Sequence, residues 1–161
     1  MSKTPYTYSL FEGTFKTPVP VLDRSINLLM FRDPDNCEYQ IVITRTSLGE
    51  EQTPERWCES EMEALRNKLP GFQIEGKLIK HEVGPAKLAV VQVANRYLHD
   101  GETIRQVQSV IKLPQHIHYN TEGRDVLIFT LNAKKEFTAH QRKHYVQVIN
   151  TFMPWSLAAE T

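Results

Sequence analysis

The sequence predicts an α+β domain in which an antiparallel β-sheet is flanked by helices. Three observations lead there. Several β-branched segments are apolar on both sides, and short turns of the kind that join antiparallel neighbours connect them. Two further stretches carry helical periodicity and stand apart from the strands. At 161 residues, one domain over 1–161 buries about 68–70% of the surface its unfolded chain would expose. Such a core needs neither a metal nor a disulfide to hold it.

The elements follow in order. YTYSLFEGTFK (6–16) reads as one short strand bent at Gly13, and Pro18 and Pro20 keep the next residues extended. Residues 24–32 form the opening strand. The DPDN turn at 33–36 joins it to YQIVITRT (39–46), which makes a hairpin. Residues 53–71 are the clearest helix: Thr53 caps, Pro54 suits the first position, Glu55 suits the positive end, and Pro70-Gly71 stops it. Cys58, Met62, Leu65 and Leu69 fall on one stripe of that helix, with Trp57 and Ala64 beside it. Four more strands are expected at 72–83, 86–98, 102–113 and 125–133. A closing helix spans about 138–153, with Thr138 and Gln141 in a capping-box pattern and Tyr145, Val148 and Phe152 as its buried stripe.

Composition narrows the function. Nineteen basic and nineteen acidic residues leave no net charge, which removes the broad attraction on which nonspecific binding to nucleic acid or anionic lipid relies. Cys37 and Cys58 are too few for a disulfide framework and read as free, buried thiols of a reducing compartment. No signal-peptide pattern opens the chain and no apolar run is long enough to span a membrane, so a cytoplasmic protein that does not insert into membranes is expected.

Catalytic patterns are sparse. His116 and His118 alternate on an extended segment, while His140 and His144 stand one turn apart on the last helix. Four imidazoles would hold zinc if the segments met, making a metal-dependent enzyme the alternative reading. Against it, both segments are polar, and a His pair beside Arg142 and Lys143 reads more simply as a solvated face. Ser25, Ser47, Ser60, Ser109 and Ser156 lack a Gly-x-Ser-x-Gly setting, and Cys58 sits on an apolar stripe. Gly84 and Gly101 belong to tight turns rather than a phosphate cradle.

The sheet is the unusual feature. In DRSINLLMF (23–31), Ile26, Leu28 and Met30 point to one side and Leu29 and Phe31 to the other. Apolar faces on both sides need cover on both sides. Either one helix layer roofs each face, or one face stays open as a groove for an apolar partner, with Gln106 and Gln108 as hydrogen-bonding points in it.

YSLFEGTFKTPVPVLDRSINLL resembles the N-terminal signature of the Eag chaperones of bacterial type VI secretion, and Asp23-Arg24-Ser25-Ile26-Asn27 is the most specific part. The likeness continues through IVITR (41–45), the amphipathic helix, RQVQ (105–108) and the closing helix near Trp155. It implies a Mog1/PsbP-like fold, a homodimer, no catalysis and no cofactor. It further implies a cytoplasmic protein that binds the hydrophobic N-terminal transmembrane segments of PAAR-containing effectors, keeps them soluble and supports their loading on the secretion spike. By motif, the resemblance gives Ile26, Leu28, Ile41, Ile43, Leu65, Ile104, Gln106 and Gln108 as partner-binding residues. A Mog1-like scaffold for a soluble protein is a further alternative.

Overall fold

The computed structural model describes residues 6–117 and 119–155. His118 and Ser156 lie outside the described residues. The element order is β1 (Tyr6–Ser9), β2 (Thr14–Thr17), β3 (Asn27–Arg32), β4 (Glu38–Ser47), α1 (Pro54–Lys68), β5 (Gln73–Val83), β6 (Leu88–His99), β7 (Glu102–Lys112), β8 (Asp125–Ala133) and α2 (Ala139–Thr151). The class is α+β, as the patterning predicts. One six-stranded sheet, ordered β3-β4-β8-β7-β6-β5, is antiparallel throughout.

Local chemistry sets most boundaries. Thr53 Oγ1 accepts the Arg56 N–H at 3.2 Å to start α1, and the Leu69 N–H closes its end on the Leu65 carbonyl at 2.8 Å. The Thr138–Gln141 capping box is complete at the start of α2. In the DPDN turn, Asp33 Oδ1 accepts the N–H groups of Asp35 and Cys37. The other carboxylate oxygen accepts from Thr138 and Gln141, which fastens the β3–β4 hairpin to α2.

Two expectations are corrected. Residues 6–17 form a small hairpin of their own rather than one bent strand, because the Leu10 N–H bonds to the Gly13 carbonyl at 2.7 Å and turns the chain back. The opening strand begins at Asn27, not 24, because Asp23 draws the preceding residues out of the ladder by accepting from both the N–H and the hydroxyl of Ser25.

Each face of the sheet has its own core. Tyr145 and Ile149 of α2 pack with Tyr39, Ile41, Val90, Ile111, Phe129 and Leu131. Cys58 and Met62 of α1 pack on the opposite face with Val91, Val93, Val110, Val126 and Ile128. The period of two along each strand divides the neighbours Ile111 and Val110, or Val90 and Val91, between the two cores.

Candidate partner-binding trough

The two helices cover their faces unequally. α2 starts beside Asp33 at the β3–β4 turn and ends at the β5–β6 turn, where the Phe152 carbonyl would lie 2.7 Å from any Cβ added to Gly84. It therefore crosses its face from one corner to the other. α1 packs chiefly on β5, β6 and β7. Beside it, on the same face, a trough opens toward the edge strand β3, with Thr130 of β8 buried in its floor and Val42 of β4 half-buried. Leu28 and Met30 of β3 are each 54% exposed there.

Strand register shows what lines this trough. One row reads Val93, Gln108, Thr130, Val42 and Leu28 across five strands. The next reads Asn95, Gln106, Asn132, Gln40 and Met30. Four carboxamides thus stand side by side on adjacent strands, bounded by apolar side chains. The oxygens of Asn95, Gln108 and Asn132 are buried without a hydrogen-bond partner among the described residues. Asn95 is wholly buried, and its Nδ2 reaches only the Met62 sulfur, at 3.8 Å. A neutral acceptor buried without a donor costs about 1–3 kcal/mol.

The structure brings together most of the residues singled out in the sequence. Leu28, Gln106 and Gln108 line the trough, and Ile104 stands one row beyond the amides, opposite Tyr97. Leu65 packs at the α1 border of the same face. Ile26 lies one residue ahead of β3 and is 61% exposed. Ile41 and Ile43 do not join them. Ile41 is fully buried under α2 and Ile43 packs against that same core, so the β4 residue that faces the trough is Val42. Sequence reasoning also missed Gln40 and Asn132, which only the register places in line with Gln106.

The motif residues around Asp23 have a different task. Tyr8 donates its hydroxyl to Asp23 Oδ2 at 2.6 Å and lies 2.8 Å from the Ser25 hydroxyl. Arg45 donates to the Ser25 carbonyl and to Asn27 Oδ1. This clasp ties the β1–β2 hairpin to the end of β3. Bonds from the Ser25 hydroxyl first, and Tyr8 second, hold the Asp23 carboxyl below its usual range.

The histidines divide between separate sites. His144 is half-buried, with Nδ1 2.8 Å from the Tyr39 hydroxyl and its ring edge-on to Phe31, so it is not part of a solvated face. His116 stacks on Tyr119. Among the described residues, no three His, Cys, Asp or Glu side chains come together as a metal site. Burial pushes the Cys58 thiol up to about 12, the inert state expected of a core cysteine, whereas Cys37 is only half-buried. None of the described helices is long and apolar enough to cross a membrane.

Residues 12–151 match the DcrB family model. The chain belongs to the DcrB family. Its fold is similar to that of PA94 from Pseudomonas aeruginosa, a protein of unknown function, with a TM-score of 0.72, 20% identity, and coverage of 94% of this chain and 98% of that one. It is also similar to LpqN of Mycobacterium tuberculosis, described as involved in cell envelope biogenesis, with a TM-score of 0.52, 20% identity, and coverage of 86% and 90%. No curated protein matches the DcrB-family sequence at a significant level.

Proposed function

We propose that this DcrB-family chain is a cytoplasmic chaperone of the Eag type, with a Mog1/PsbP-like fold. Its clients would be the hydrophobic N-terminal segments of a PAAR-domain effector, held until they are loaded on the secretion spike. The observation that carries the reading is the trough, apolar along β3 and floored by amides, two of which, Gln108 and Asn132, have a buried oxygen without a donor among the described residues. A transmembrane helix satisfies its own backbone but exposes a greasy surface roughly 30 Å long. Each Leu or Met of the trough covered by such a helix contributes about 1.5–3 kcal/mol before ordering costs are subtracted. Ser or Thr hydroxyls on the client helix would supply the missing donors. Function as a homodimer is part of the proposal, supported by the exposed apolar edge strand β3.

The test is co-expression with the N-terminal segments of a PAAR-domain effector. The wild-type chain should keep them soluble and copurify with them, while Ile26→Asp with Leu28→Asp should stay folded and lose them. Equal retention by the doubly charged variant would place the client elsewhere. The described role of LpqN favours a second reading, in which a DcrB-family trough holds an apolar envelope component outside the cytoplasm. Cell fractionation separates the two: recovery with the envelope fraction would support the second and exclude the first.

A further inference from the structure

The diagonal course of α2 leaves one corner of its face off its path, where β5, β6 and β7 end. Arg96 and Arg105 lie there, directly opposite each other in the β6–β7 ladder, and Arg105 is flanked on its other side by Ala133 of β8. Side chains so placed have Cβ atoms about 4.5–5.5 Å apart, and like charges at that spacing repel. A carboxylate would ordinarily sit between them. Among the described residues, none forms an ion pair with either arginine. Glu102, at the start of β7, is engaged 3.5 Å from Lys134.

Arg96 is also held in place. Its Nε and Nη2 both donate to Gln73 Oε1, at 3.2 and 2.6 Å, which fixes the plane of the guanidinium. Both arginines are half-buried, and Ala94 and Val107, one row along, form a small apolar floor beside them. Two guanidinium groups carried at opposite positions of one ladder suit an oxyanion that accepts from both.

We propose that Arg96 and Arg105 form a binding site for a phosphate group. Two neighbouring cations match the charge of about −1.5 to −2 on a phosphate monoester or inorganic phosphate at pH 7, whereas one carboxylate would leave a positive charge uncompensated. The site lies on the opposite face from the trough, so it neither needs nor tests the chaperone reading.

The experiment compares the wild-type chain with Arg105→Gln and Arg105→Lys in two arms. The first is thermal melting in inorganic phosphate against chloride at matched ionic strength. The second is flotation with phosphatidylcholine vesicles with and without phosphatidic acid. Phosphate should raise the wild-type midpoint by a few degrees more than that of Arg105→Gln, which keeps only the general salt effect, with Arg105→Lys between them. In chloride, Arg105→Gln should melt at or above wild type, because the repulsion is relieved. Vesicle binding that needs both phosphatidic acid and Arg105 would assign the phosphate to a lipid headgroup, and a response to soluble phosphate alone would assign it to a small phosphate ester. Equal responses of wild type and Arg105→Gln in both arms, or no response in either, would overturn the site.

Discussion

The two faces of the six-stranded sheet share every strand but are completed differently. Under α2, polar groups are matched: the buried Tyr145 hydroxyl donates to the Phe129 carbonyl at 3.0 Å and lies 2.7 Å from the Ser109 hydroxyl, which in turn donates to Gln92. On the α1 face, three amide oxygens are buried without donors among the described residues, beside apolar side chains that stand half in water. Beneath α2 those buried groups find their partners within the chain. The α1 face has hydrogen-bonding capacity and apolar area left over, and that surplus is what the proposed client would satisfy.

Moving one charge between the faces should produce the largest contrast. Ile41→Asp places a carboxylate in the core under α2 and should abolish cooperative folding, whereas Leu28→Asp, on the neighbouring strand but facing the trough, should change stability by no more than about 0.5 kcal/mol in urea unfolding. If both variants unfold, the trough is part of the core and the distinction between the faces fails. Ile41→Ala, a milder form of the same test, should cost about 2–5 kcal/mol through the cavity it leaves.

Tyr145→Phe should cost about 1–3 kcal/mol, because it removes the donor that the Phe129 carbonyl accepts from. Burial holds the Tyr145 phenol protonated, so its ionisation would not confuse the measurement. The corresponding change on the other face has the opposite sign. Asn132→Leu removes an unpartnered buried oxygen, so the free protein should gain on the order of 1 kcal/mol while losing preference for clients that carry Ser or Thr. A loss of stability in Asn132→Leu would mean that its oxygen already has a donor.

The smallest effect concerns the clasp at the end of β3. The folded-state pKa of Asp23 is depressed below 3.8, so the clasp contributes stability above that pH and loses it as pH falls through the lowered value. The group is exposed and screened, so only the direction is expected. Amide protection, taken relative to the intrinsic exchange rate at each pH, should fall in residues 6–17 on acidification before it falls in β8, and Asp23→Asn should remove that difference.

Much of the fold was legible because its signals are local. Thr53-Pro54, Thr138 with Gln141, and the DPDN turn each carry their chemistry within a few residues, and the caps formed where those signals stand. Residues 6–17 were misread because a Gly in an extended run suggests a bend as readily as a hairpin turn. The trough was legible only in part. Leu28, Ile104, Gln106 and Gln108 could be grouped by alternation within their own strands, but alternation does not say which side of β4 matches which side of β7.

The sequence by itself determined the two helices with their caps, the strands from β4 to β8 to within a few residues, and that several strands are apolar on both sides, since all of this follows from neighbours in the chain. Tertiary structure alone decided that β8 lies between β4 and β7, that Val42 rather than Ile41 and Ile43 faces the trough, and that Asn132 joins Gln40 and Gln106 in one row. Those outcomes depend on long-range pairing register and on which face each helix lands, and a repeat of two residues fits either face equally well until a helix occupies one of them.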